Sequence, residues 1–305
     1  MANDTAHDEH YGRVDDPAGA ILSALGDPAT LTIEDLAPAD EFHLGGAAAT
    51  SAIIDALKVN ASDRVLDIGS GLGGPARRIA ATTGAHVTGV DLTPSFVAAA
   101  TALSGRLAMS HNTEFIQGDV TQLDRWGPGV GPFNAATLIH VGMNIPDKKA
   151  FFSGVHGLLA PGGRFVVFDI MLTGDPTEIA YPMPFASRLD NSFLESPSSY
   201  VDALTGAGFH VNEPVDQTRL ARDAAASTRA ASPPPVSLAT VMGPGFATMF
   251  AKRSVECRAD RTSADRRDPL NKFAADHTFR DGLSFSSQAL LVCSTSKSPR
   301  TRNHQ

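Results

Sequence analysis

Cysteine is nearly missing from this chain of 305 residues: there are two, Cys257 and Cys293, far apart and without metal-ligand spacing. That excludes a disulfide framework and a cysteine-based zinc site, and a reducing compartment is the simpler reading. Net positive charge is missing too. Lys and Arg total 25 against 33 Asp and Glu, a formal net charge of -8, which argues against a general affinity for polyanionic nucleic acid. No run reaches the roughly 18 apolar residues of a membrane span. The opening MANDTAHDEH is polar and acidic, unlike the basic start and apolar run of a secretion signal. Internal repeats are absent. A globular, cytoplasmic protein is the expectation, and the 42% hydrophobic content is ample for a packed core.

What the chain does have is a glycine-rich turn with a carboxylate in front of it. Residues 65–74 read Val-Leu-Asp-Ile-Gly-Ser-Gly-Leu-Gly-Gly, the pattern of a strand entering a tight turn and then a helix. Such a turn can hold the pyrophosphate of NAD on its amides. Asp67, where the strand ends, repels phosphate and suits a cation instead, such as the ammonium of an amino-acid moiety. Asp91 ends a second strand and can accept from both hydroxyls of a ribose, in NAD or in an adenosyl ligand alike. Gly118-Asp119-Val120 follows a third strand, where Asp119 can accept from the adenine amino group. Three acids at successive strand ends fit a cationic, phosphate-free adenosyl ligand better than a dinucleotide.

From Asp63 onward, β runs over 65–68, 86–90, 113–117, 133–139 and 163–170 alternate with helical stretches over 75–80, 94–103 and 147–159. This alternation predicts an α/β fold, a mostly parallel sheet with helices on both faces. Residues 1–60 read as an N-terminal helical extension and lid, with short helices over 18–25 and 31–36. A further helix is expected to begin near Thr50 or Ser51. Gly45-Gly46 before it is either a plain loop or a close backbone approach to a ligand. Residues 61–293 form the main domain, in which 174–197, rich in proline and aromatics, is the candidate substrate cap inserted after strand five. A helix over 198–207, a sixth strand over 208–211, an apolar segment over 236–249 and a strand over 290–293 follow. Residues 252–285 are unusually polar, and 294–305 read as a disordered tail.

On these residues the chain resembles the class I S-adenosylmethionine-dependent methyltransferases, over roughly 40–211 and most strongly at 65–74. The stretch Leu-Leu-Ala-Pro-Gly-Gly-Arg-Phe-Val-Val-Phe at 158–168 resembles the family's loop and fifth strand. Asp-Glu-Phe-His-Leu-Gly-Gly at 40–46 and Ile-His-Val-Gly-Met at 139–143 resemble small-molecule members near the sarcosine, phosphoethanolamine and quinone-ring groups. The resemblance implies a Rossmann-like, seven-stranded sheet and S-adenosylmethionine as the cofactor. It also implies a small-molecule acceptor as the partner, neither nucleic acid nor membrane, and compatibility with a homodimer. By resemblance, Asp67, Gly69, Ser70, Gly71 and Gly73 line the methionine part, Asp91 and Leu92 the ribose, and Gly118, Asp119 and Val120 the adenine. Phe42 and Gly46, in the lid, and His140, after the fourth strand beside the methyl group, also contact the cofactor by this resemblance.

The sulfonium of such a cofactor already carries an activated methyl group, so the protein must chiefly align the nucleophile in line with it and exclude water. A phenol, enol or amine also loses a proton, and His140 is the candidate catalytic base, its other readings being a ligand contact or a plain pocket wall. His43 carries the same ambiguity. No metal is expected: Asp169 with Asp190 is a pair that can be imagined, short of the oxygen cluster a metal needs. Two other functions compete, an NAD-dependent oxidoreductase and a homologue that binds the cofactor without transferring its methyl group.

Overall fold

The computed structural model describes residues 15–125, 130–176, 179, 181–220, 223–224, 234–242 and 286–295. The chain opens with three helices, α1 (Pro17–Ala24), α2 (Ile33–Asp40) and α3 (Gly46–Leu57). Asp16 caps α1 through the amide of Gly19, and Thr32 with Asp35 forms a reciprocal capping box at the start of α2. The α/β alternation then runs β1 (Arg64–Ile68), α4 (Gly74–Thr83), β2 (His86–Asp91), α5 (Pro94–Arg106), β3 (Thr113–Gln117), β4 (Phe133–Ile139), α6 (Lys148–Leu158) and β5 (Leu159–Leu172). After these come α7 (Pro197–Gly206), β6 (Phe209–Val211), β7 (Val215–Asp216), α8 (Leu238–Met242) and β8 (Ser286–Thr295).

These strands form one sheet in the order β3-β2-β1-β4-β5-β8-β6, with β7 pairing off β8. The first five are parallel, and β8 runs antiparallel to β5, β6 and β7. Seven strands thus lie on the main path, as the resemblance implies, and the eighth is a two-residue addition.

Side chains alternate across the strands, which sorts the core into two layers. Leu66, Ile68, Ala136, Leu138 and Val167 pack with Phe151, Phe152, Val155, Tyr200 and Leu204 on the α6/α7 side. Val65, Val87, Ala135, Ile139, Val166 and Phe168 face Ile53, Ile54 and Leu57 of α3 and Ala76, Ile79 and Ala80 of α4. A third cluster joins Ile21 and Leu36 of the N-terminal helices to Leu72, Phe96, Val241 and Met242. The N-terminal extension is therefore packed onto the glycine turn and α5.

Several boundaries differ from the sequence expectation, each for a local reason. Helix α3 starts at Gly46, four residues before Thr50, because Gly45 and Gly46 take the left-handed φ values of 94° and 49° that turn the chain into the helix. Helix α2 runs through Pro38. Strand β5 begins at Leu159 rather than 163, and the Pro161-Gly162 turn is absorbed as a register shift between Phe133 and Ala135 of β4. The expected tail boundary at 294 is too early: Ser294 and Thr295 pair with β5 and β6, and Thr295 Oγ1 donates to the Ala160 carbonyl at 2.9 Å. Cys257, the segment 252–285 and residues 296–305 lie outside the described residues.

Candidate active site

A cavity of about 310 Å³ opens at the carboxyl ends of the parallel strands, where open α/β sheets bind their ligands. The glycine turn forms its floor. Gly69 and Ser70 both donate backbone N–H to the Val90 carbonyl, at 2.8 and 3.0 Å, which folds the turn back over β2. Gly69 has a φ of 73°, and a Cβ there would overlap Val141, so only glycine lets β1 and the residue after His140 approach this closely.

Asp67 and its register partner Thr137 fall on the α3/α4 side of the sheet. Asp67 is buried, Thr137 Oγ1 donates to its Oδ1 at 2.7 Å, and its Oδ2 is buried without a hydrogen-bond partner. Burial pushes this carboxyl up to about 7, opposed by the Thr137 hydrogen bond and reinforced by Asp91 and Glu41. A carboxylate oxygen held dry in this way fits a cationic ligand group.

Asp91 is engaged on both oxygens. Gly71 N donates to Oδ2 at 2.8 Å and Thr93 N to Oδ1 at 2.9 Å, so Asp91 ties the glycine turn to the start of α5. Asp119 accepts at Oδ1 from Thr121 N at 2.8 Å and from Thr121 Oγ1 at 2.6 Å, and at Oδ2 from Gln122 Nε2.

Of the residues expected from the sequence, Phe42, Asp67, Gly69, Ser70, Gly71, Asp91, Leu92, Asp119, Val120 and His140 line this cavity together. Gly46, Gly73 and Gly118 do not. Gly46 offers its carbonyl to His43, Gly73 caps α4 at a φ of 81°, and Gly118 N donates to the Asp91 carbonyl at 3.0 Å. The imagined Asp169–Asp190 pair does not form: Asp169 is buried against Tyr200, at 2.8 Å, and exposed Asp190 pairs with Arg188. Among the described residues no group of three or more His, Cys, Asp or Glu is arranged to hold a metal ion.

The strap over residues 40–46 is anchored by two arginines of α4 that the sequence reading missed. Arg77, fully buried, donates through Nη2 to Asp40 Oδ2 at 2.7 Å and to the Leu72 carbonyl at 2.6 Å. Its Nη1 reaches the Ala100 carbonyl at 3.1 Å and Ser104 Oγ at 3.2 Å. Arg78 Nε donates to Glu41 Oε1 at 2.8 Å. The one available signal was an acid pair at 40–41 and a basic pair at 77–78. With the strap so held, Phe42 meets Phe96 edge to face at 5.8 Å above the glycine turn.

Two histidines, His43 and His140, line the cavity and meet edge to face, their rings 6.0 Å apart. His140 has a left-handed φ of 54° and its N–H donates to the Phe168 carbonyl at 2.9 Å. Its ring stacks on Phe168 at 5.5 Å, and Nε2 is buried without a partner. Burial, and then His43, hold its proton affinity well below that of an ordinary histidine. Beyond the histidines the wall is mostly apolar, formed by Met143, Ile145, Ile170, Pro184 and Phe185 with Asn144 among them, and Leu238 and Met242 nearer the strap.

Residues 65–163 match the methyltransferase domain family. The sterol 24-C-methyltransferase ERG6A of Gibberella zeae is 36% identical over 112 residues, 37% of this chain and 29% of that protein. The chain thus spans less than half the length of the curated relatives it matches. Among solved structures, the [4+2]-cyclase SpnF aligns with a TM-score of 0.59 at 16% identity, covering 94% of this chain and 96% of the cyclase. The geranyl diphosphate C-methyltransferase of Streptomyces coelicolor A3(2), in complex with S-adenosyl-L-homocysteine, aligns with a TM-score of 0.59 at 15% identity, covering 96% and 98%. The last two likenesses are of fold, and one fold serves several reactions. Sheet order, glycine turn and domain match agree: this chain has the class I S-adenosylmethionine-dependent methyltransferase fold.

Proposed function

We propose that the protein transfers the methyl group of S-adenosylmethionine to a small-molecule nucleophile, at nitrogen, oxygen or carbon. The observation that carries this reading is Asp67, whose dry and unpartnered Oδ2 beside the glycine turn suits the cofactor's ammonium and opposes a pyrophosphate. Asp67 and residues 69–71 hold the methionine part, Asp91 and Leu92 the ribose, and Asp119 and Val120 the adenine, while Phe42 and the strap exclude water. Bound there, the cofactor supplies a methyl group on a sulfonium whose S–C electron pair departs with sulfur. His140 forms the wall beside the acceptor end.

The acceptor carries no negative charge. Carboxylates line the cavity, no Lys or Arg does so among the described residues, and the acceptor end is apolar apart from Asn144 and the histidines. A phosphate ester finds no counter-charge there. Residues 181–196 supply Pro184 and Phe185 to that wall, which supports the reading of this segment as a substrate cap. A reducing cytoplasm fits Cys293, a buried thiol pushed up to about 12 by burial. No helix among the described residues is long and apolar enough to cross a membrane.

The test is calorimetric titration with S-adenosylhomocysteine and NADH, followed by a screen of amines, phenols, quinone-like compounds and neutral alkenes for S-adenosylhomocysteine release. Saturable binding of the adenosyl ligand, no competition from NADH, and release with an acceptor that carries no negative charge are expected. Binding without release across the panel would favour a homologue that does not transfer. NADH binding in place of the adenosyl ligand would overturn the reading.

A further inference from the structure

We propose that His43, rather than His140, takes the proton from the acceptor in this cavity, with Glu41 and Thr50 as positioning residues behind it; this rests on the methyltransferase reading above.

The hydrogen bonds decide where the protons of this group lie. Thr50 Oγ1 donates to Glu41 Oε2 at 2.6 Å, so Thr50 turns a lone pair towards His43 Nε2, 3.1 Å away. The Gly46 carbonyl stands 3.1 Å from the same nitrogen and Glu41 Oε2 3.6 Å from it. Three acceptors around one ring nitrogen require the N–H to be there, which leaves the lone pair on Nδ1. A base whose far nitrogen is held by a carboxylate-linked network is fixed in tautomer and ring orientation.

The charged and titratable groups around His43 come from three elements: Glu41 from the strap, Arg78 from α4 and His140 from the end of β4. Arg78 Nε donates to Glu41 Oε1 at 2.8 Å and so holds that side chain in place behind His43. A proton arriving on Nδ1 creates an imidazolium whose charge is met by Glu41 at 3.6 Å in a buried site, where Coulombic attraction is strong. His140 is differently placed. Both rings are buried against Phe168, His140 stacked and His43 edge-on, but His140 Nε2 has no hydrogen-bond partner and the neighbouring charge acting on it is that of His43, which opposes protonation. Burial lowers the proton affinity of both rings, but for His43 Glu41 and the Gly46 carbonyl work against that lowering.

The step is a proton transfer. The acceptor's O–H or N–H bond breaks, its electron pair stays on the heteroatom for the new bond to carbon, and an N–H bond forms at His43 Nδ1. The proton leaves later to water.

Histidine-resolved nitrogen NMR on the protein saturated with S-adenosylhomocysteine tests this without an acceptor. His43 is expected as the Nε2–H tautomer and to take its second proton at higher pH than His140. Glu41→Gln is expected to lower the proton affinity of His43 by about tenfold, a shift of about one pH unit, and to leave His140 in place. With any acceptor the screen yields, His43→Asn should lower kcat on the order of tenfold or more and erase the acidic limb of the pH profile. Cofactor affinity should hold, and His140→Asn should keep the limb. A higher titration for His140, an unmoved His43 in Glu41→Gln, or an intact limb in His43→Asn would each overturn the assignment. Failure to bind S-adenosylhomocysteine strikes the methyltransferase reading alone, and the order of the two histidines in the free protein still tests the present one.

Discussion

Asp67 and Thr137, paired across β1 and β4, share a single hydrogen bond of 2.7 Å that satisfies one carboxylate oxygen and leaves the other dry. The folded protein therefore holds this carboxyl up at about 7, against an ordinary value of 3.8. A raised acid favours folding below its unfolded pKa, and that contribution is lost as pH rises through the folded value. For the free protein Asp67 is thus a stabiliser near pH 4 and a burden above pH 7, and Asp67→Asn should flatten that part of the stability profile. Binding an ammonium demands the ionised form. Cofactor affinity should fall as pH drops below about 7, with a fraction of a proton released on binding. Calorimetry near pH 6.5 in two buffers of different ionisation enthalpy measures that release, and identical apparent enthalpies would refute it.

Asp91→Ala should weaken cofactor binding by more than the loss of ribose contacts. The same carboxylate holds the amides of Gly71 and Thr93, so the turn itself loosens. Removing hydrogen bonds to a charged group costs about 1.5–3 kcal/mol each. An adenosyl ligand lacking both ribose hydroxyls should therefore still distinguish variant from wild type, by a smaller factor than the natural ligand does. Parallel titrations of the two ligands give both factors, and equal affinity of the dideoxy ligand for both proteins would show that the turn does not depend on Asp91.

Arg77→Met should destabilise the fold by about 3–5 kcal/mol, because it leaves Asp40 buried without its cation. Burial already raises Asp40 to about 6 against the pull of Arg77. Urea unfolding at pH 7.5 measures the loss, and Asp40→Asn combined with Arg77→Met should recover part of it. A double variant no more stable than the single one would mean the strap is held by other contacts.

Tyr200→Phe should cost about 1–3 kcal/mol and leave cofactor affinity nearly unchanged. The Tyr200 hydroxyl donates to Asp169 Oδ2 at 2.8 Å on the α6/α7 side of the sheet, away from the cavity lining. Without it Asp169, held at about 7 mainly by burial, should rise further. Denaturation midpoints at pH 6 and pH 8 check both parts: the variant's deficit should be larger at pH 8, where Asp169 must ionise without its donor.

The strands β1 to β4 were legible to within one residue at each end because alternating or continuous apolar runs flanked by glycine and aspartate leave little freedom of register. Asp67 and Asp91 were legible for a different reason, since a carboxylate at a strand end beside glycines has few structural uses. The strap was not. Its meaning depends on Arg77 and Arg78 meeting Asp40 and Glu41 from 37 residues away, and sequence spacing carries no record of that meeting. The Glu41–Thr50–His43 group was hidden by the boundary of α3. Once the helix starts at Gly46, Thr50 turns inward, whereas a start at Thr50 would make the same residue a cap.

Strand β8 lies between β5 and β6 and hydrogen-bonds to both. On the ribosome, β6 emerges long before the strand that must separate it from β5. Until residues 286–295 are made, one edge of β5 is bare, and the nucleotide half of the sheet has to hold its shape with an open seam. Closure of the sheet between β5 and β6 therefore depends on residues 286–295. A chain cut before Ser286 would keep every ligand-facing strand end and still present an unpaired β edge, the surface from which chains of this architecture stick to one another.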